Sequence, residues 1–186
     1  METLDLLLHP VRVRIVHAMS GGATRTTSDL LARLPDVSKA TVYRHVSLLA
    51  AAGVLEVVSE HRVHGAVERR YRLYRPRAVI DADAAASMTL EEHRYGFAAA
   101  MAALVAEFNT YLNQGHADPT ADQVGYRQIP LWLSQDERAA LINQIHTILL
   151  SNMDNQPGSG RRLHLLSPIL FPIGNVEEET RLTSSK

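Results

Sequence analysis

Residues 38–53 constrain the fold more than any other part of the chain, because they spell a helix with two unlike faces. Ser38 is a good N-cap, since its hydroxyl can accept one of the unpaired N–H groups of a first helical turn. Val42, Val46 and Leu49 recur at i, i+4 and i+7, which gives a buried stripe. Lys39, Thr41, Arg44, His45 and Ser47 fall away from that stripe, with Tyr43 at its border. Gly53 supplies the helix stop after Ala50-Ala51-Ala52.

Two further helices precede this one. Over residues 4–19 the apolar positions Leu4, Leu7, Leu8, Val11, Ile15 and Met19 share one side, and Pro10 either kinks the helix or marks a restart. Ser20-Gly21-Gly22 ends it. Thr26 or Thr27 caps the second helix, Asp29 sits in its positively polarised first turn, Leu30, Leu31 and Leu34 face the core, and Pro35 stops it. Residues 54–59 and 68–74 then read as two strands, rich in Val, Leu, Tyr and alternating Arg. Between them, residues 61–66 read as a polar tip that carries Arg62 and His64, with Arg69 beginning the return.

Three helices and a basic hairpin within residues 1–76 predict a winged helix-turn-helix domain in an α+β protein. The third helix suits the major groove of DNA, the second braces it, and the hairpin reaches neighbouring phosphates. The expected DNA-contacting residues are Ser38, Lys39, Thr41, Tyr43, Arg44 and His45 on the helix, and Arg62, His64 and Arg69 on the wing. For Tyr43, packing and reading are equally open. His61 and His64 have ligand-like spacing, but a phosphate-facing wing explains them without a metal.

The charge distribution fits this division. Residues 1–77 hold twelve Arg and Lys against seven Asp and Glu, and residues 78–186 hold seven against thirteen. A basic half joined to an acidic half suits a nucleic-acid-binding module fused to something else. Cysteine is absent, so disulfides and thiolate metal sites are excluded. No apolar run approaches the roughly 20 residues of a membrane span, and the acidic start lacks the form of a secretory signal; the expectation is a cytoplasmic protein with no membrane partner. With no nucleophile elbow, phosphate loop or metal motif, neither an enzyme nor a cofactor is expected. Glu91-Glu92 reads as a solvated first turn, and His17, His93, His116, His146 and His164 as surface or half-buried residues.

The run Val37-Ser38-Lys39-Ala40-Thr41-Val42-Tyr43-Arg44-His45-Val46-Ser47-Leu48-Leu49, followed by Gly53-Val54-Leu55, resembles the recognition helix of ArsR-type winged-helix regulators. His9-Pro10-Val11-Arg12-Val13-Arg14-Ile15-Val16 resembles the start of their first helix, and Glu68-Arg69-Arg70-Tyr71-Arg72-Leu73 resembles their returning wing strand. The likeness spans about residues 3–76. It implies a dimeric regulator of transcription, most often a repressor, in which the helix after the wing helps to build the dimer. The family's metal sites do not carry over, because the cysteine pair of its third helix is missing here.

Residues 77–175 are expected to form a dimerisation and effector region. A linker (76–86) leads to a long helix (89–114), then a strand (124–133), a helix opened by a Ser134/Glu137 capping box, and a strand (163–173) in which Pro168 forces an edge or a bulge. The helix stripe Phe97, Met101, Leu104, Phe108 and Leu112, beside Leu4, Leu7 and Leu8, is the expected dimer contact. Phe97, Met101, Phe108, Tyr111, Tyr126 and Trp132 would line a pocket for a small organic effector, or else are ordinary core. Residues 176–186 read as a disordered tail. The rivals to a regulator are a winged-helix architectural or assembly module without a regulatory ligand and an enzyme with its site in the second half, against which the missing catalytic constellation argues.

Overall fold

The computed structural model describes residues 6–63, 66–80 and 82–174. Its first long helix starts at the proline rather than running through it. Helix α1 spans Pro10–Met19, with Pro10 in the first turn, where its missing N–H costs nothing. His9 caps it, and its Nδ1 accepts the N–H of Val11 at 3.2 Å. The strand β1 (Arg25–Thr26) follows. Helix α2 (Thr27–Arg33) is opened by a reciprocal capping box, in which Thr26 accepts from the Asp29 N–H and Asp29 accepts from the Thr26 N–H. Helix α3 (Lys39–Ala51) is capped by Ser38. Gly53, at φ +71°, turns the chain out of α3 in the left-handed region that favours glycine.

Strands β2 (Leu55–Val63) and β3 (Ala66–Leu73) form an antiparallel hairpin, and β1 adds to the far edge of β3, giving the order β1-β3-β2. The hairpin is longer than expected. Residues 61–63 continue β2, with His61 opposite Glu68 and Arg62 opposite Val67, so most of the expected tip is paired strand. The register slips by one residue between Val57 and Ser59, a bulge that bends and twists the wing. The short strand β1 was not anticipated; two residues are too few to show alternation.

One core unites these elements. Ile15 and Met19 of α1, Leu30 of α2 and Leu34 at its C-cap, Val42, Val46 and Leu49 of α3, and Val54, Leu55 and Tyr71 pack together with almost no exposed surface. Truncating any of these leucines to alanine would cost about 2–5 kcal/mol. Arg14, itself buried, clamps the perimeter with two nearly parallel bonds to Asp36, at 2.6 and 2.8 Å.

Where a linker was expected, a 3-10 turn (Arg75–Arg77) and a short helix, α4 (Ala82–Ser87), lead to α5 (Leu90–Leu112). Helix α5 lies against α1 through its small residues. Ala99 and Ala103 are buried, Leu8 approaches Gly96, and Glu107 and Thr110 both bond Arg14. Helix α6 (Gln135–Met153) has the expected Ser134/Glu137 capping box. The expected flanking strands do not form: residues 124–133 and 163–173 are without strand pairing, and nearly all their side chains are exposed. The strand-helix-strand unit is therefore not closed within one chain, for want of a facing layer to bury it. The expected tail over 176–186 and Leu4 lie outside the described residues.

Candidate nucleic-acid interface

Burial of one face of α3 fixes what the other face presents. With Val42, Val46 and Leu49 in the core, Ser38, Lys39, Tyr43 and Arg44 stand on the exposed side and Thr41 is half-buried. The Ser38 hydroxyl accepts the Thr41 N–H at 3.3 Å and lies 2.8 Å from the Thr41 hydroxyl, so both oxygens are engaged at the helix start. The Lys39 ammonium sits 5.8 Å from the centre of the Tyr43 ring. That cation–π contact holds the tyrosine on the polar face, ring outward, rather than in the core.

His45 departs from expectation. It was placed on the polar face, yet it is only 2% exposed. The buried stripe of α3 is wider than its aliphatic residues suggest, because the start of α1 covers the turn between Val42 and Leu49. There His9 and His45 meet with ring centres 4.5 Å apart. His45 Nδ1 is buried without a hydrogen-bond partner. Burial, then the charges of His9, Arg12 and Arg44, push its pKa from the usual 6.5 down to about 4. The ring is therefore neutral near pH 7 and supports Arg44, whose Nη2 lies 3.4 Å from His45 Nε2. His45 therefore lies beneath the exposed face of α3, where it backs Arg44, instead of standing on that face.

On the wing, Arg62 is exposed and forms no ion pair among the described residues. Arg69 is exposed too, but its Nε bonds Glu60 across the hairpin at 2.8 Å. Arg72 is tied to Glu56 in the same way. Cross-strand carboxylates thus take up part of the wing's positive charge, which alternating arginines read without their register could not reveal. Arg70, opposite both Ser59 and Thr26, is an exposed cation that the sequence reading did not single out. His64 lies outside the described residues.

The remaining candidate residues are arranged as follows. Phe97, Phe108 and Leu112 are exposed on the outer side of α5, Met101 and Leu104 are half-buried, and Leu7 and Leu8 are half-buried beside α1. The six residues expected to line an effector pocket do not surround a common cavity. Phe108 stacks with Tyr111 and meets Tyr126 edge-on, Phe97 meets Phe171, and Trp132 is 78% exposed. Large side chains distributed along an open helix face enclose nothing unless a second surface covers them. No group of three or more His, Asp or Glu suited to a metal occurs among the described residues, and no helix there is long and apolar enough to cross a membrane.

Residues 7–58, which include α1 to α3 and the first four residues of β2, match the family model of a helix-turn-helix domain. No curated protein matches the chain. The N-terminal part is thus a helix-turn-helix domain, the module of DNA-binding regulators, and the hairpin that follows it gives the winged form.

Proposed function

We propose that this chain is a sequence-specific regulator of transcription that binds double-stranded DNA as a homodimer, with α3 in the major groove and the β2–β3 hairpin along the backbone. The observation that carries the reading is the exposed Lys39, Tyr43 and Arg44 face of α3, set opposite a fully buried stripe within a matched helix-turn-helix domain. Arginine and lysine on such a face read guanine edges, and the wing's Arg62 suits a phosphate. One such domain spans only a short stretch of DNA, so useful specificity favours two copies on adjacent half-sites. The exposed stripe of α5 offers the surface for that pairing.

Repression is the sign implied by the ArsR-type resemblance. A small organic effector, if it acts on this chain, would bind where a second copy completes the open face around Phe97 and Phe108. The reading assigns no catalytic step and no cofactor. Selection of bound fragments from the source genome, followed by titration at several salt concentrations, tests it. A shared enriched sequence supports a regulator; steep salt dependence with no sequence preference would instead support an architectural module.

A further inference from the structure

Of the six most exposed large apolar side chains among the described residues, all but Leu90 lie in the two segments that the sequence reads as strands. Tyr126, Ile129, Leu131 and Trp132 lie in residues 124–133, and Leu163, Leu166, Phe171 and Ile173 in residues 163–173; all are exposed. No backbone–backbone hydrogen bond joins residues 125–133 or 162–173 to any other described residue. Apolar residues occupy both alternate faces of each segment, the pattern of strands covered on two sides.

The exposed area sets the size of what is missing. A single copy exposes 13943 Å², whereas a compact protein of this mass exposes about 8,900 Å². Even at a fully extended limit of about 160 Å² each, the residues outside the described set account for only about 3,200 Å² of the difference. Roughly 1,800 Å² remains, about twice what one partner contributes to a standard interface.

Two observations favour a second copy of this chain as the occupant. Phe171 lies edge-on to Phe97 at 6.2 Å, and Tyr126 to Phe108 at 6.5 Å, so both segments run on from the outer face of α5 as one apolar surface. A copy docked on the helix therefore meets the segments too. The prolines also share one parity: Pro130, Pro168 and Pro172 are all even-numbered. In a strand, successive residues turn their N–H groups to opposite edges. Each segment thus has one edge interrupted by proline and one uninterrupted edge built from odd-numbered residues. A strand with a single usable edge closes against a like strand and then stops, which suits a closed two-fold pair rather than open-ended assembly.

We infer that residues 124–133 and 163–173 become β-strands only in the dimer, pairing through their proline-free edges with the same segments of a second copy. The inference rests on the homodimer proposed above and names the surface that completes it. Hydrogen–deuterium exchange of the full chain, at concentrations where light scattering reports dimer and after dilution to monomer, tests it. In the dimer, the amides of the odd-numbered residues 127–133 and 165–173 are expected to exchange at least a hundredfold more slowly than in the monomer. A dimer whose segments exchange freely would overturn this inference and leave the dimer standing. A chain that is monomeric throughout would overturn both. Protection that persists in the diluted monomer would place the pairing within one chain and also overturn it. A matched pair of variants adds a second readout. Leu165→Pro, on the free edge, should weaken dimerisation at least tenfold, and Leu166→Pro, on the edge already interrupted, should change it little; equal effects would contradict the edge assignment.

Discussion

The imidazoles of His9 and His45 meet with ring centres 4.5 Å apart and planes tilted by 43°, which couples the cap of α1 to the middle of α3. His9 holds the first turn of α1 by accepting the Val11 N–H, and a protonated ring nitrogen cannot accept. His45 is buried, and the charged groups that depress its pKa are His9, Arg12 and Arg44. Both imidazoles have lowered pKa values, chiefly through burial.

This pair predicts acid sensitivity. Well above pH 6.5 the folded and unfolded states both hold His45 neutral, and it costs nothing. Between the usual 6.5 and the folded value of about 4, the unfolded chain takes up a proton that the folded chain refuses. Stability therefore falls as pH drops through that window, and His9 adds in the same direction. From pH 7.5 to pH 5 the loss through His45 is about 2 kcal/mol. Urea denaturation of wild type and His45→Leu at both values checks this; the variant should lose less by about that amount, and parallel losses would contradict it.

Arg14 predicts a second stability effect. Its guanidinium is buried and bonds Asp36 twice, Glu107 once and Thr110 once, so one side chain ties α1 to the α2–α3 turn and to α5. Arg14→Met should destabilise the protein by about 2 kcal/mol, below the usual cost of breaking a buried pair because Asp36 is half in water. Asp36→Asn, which leaves Glu107 in place, should cost less. Equal denaturation midpoints for wild type and Arg14→Met would remove the clamp from the fold's energetics.

The wing arginines should separate in their salt dependence. Arg62 has no carboxylate partner among the described residues, whereas Arg69 is held by Glu60. Arg62→Ala should lower the slope of log affinity against log salt by about 0.9, the value for one lost phosphate contact. Arg69→Ala should change it less. Titrations over a series of salt concentrations decide the matter, and a larger effect at Arg69 would reverse the assignment.

Leu112 predicts the dimer contact. It is exposed on the outer face of α5, away from the Ala99 and Ala103 side that packs on α1. Leu112→Glu should shift the light-scattering mass toward monomer while leaving the circular dichroism of the helices unchanged. A variant that remains dimeric at micromolar concentration would exclude that face.

How much of this was legible in the sequence depended on whether a residue's environment was local. The caps at Ser38 and Ser134, the stripe Val42–Val46–Leu49 and the Gly53 stop are set by neighbours three or four positions away and were readable, as was the choice of Thr26 or Thr27 for the second helix; the Thr89 cap follows the same local rule but was not singled out. The burial of His45 depends on α1 arriving from more than thirty residues upstream, and helical periodicity within α3 does not encode it. The pairing of Arg69 with Glu60 depends on hairpin register, which the bulge at Val58 shifts. The apolar segments 124–133 and 163–173 have strand-like composition, but a strand needs a neighbour, and a single chain supplies none.

Paired titrations of wild type and Arg44→Ala, against a selected target and against random DNA at one salt concentration, test the reading role of α3 most directly. Arg44 is exposed on that face with His45 beneath it. Wild type should prefer the target, and Arg44→Ala should lose about 1–3 kcal/mol on the target with a much smaller loss on random DNA. Equal losses on both, or no preference by the wild type, would contradict sequence reading by this helix.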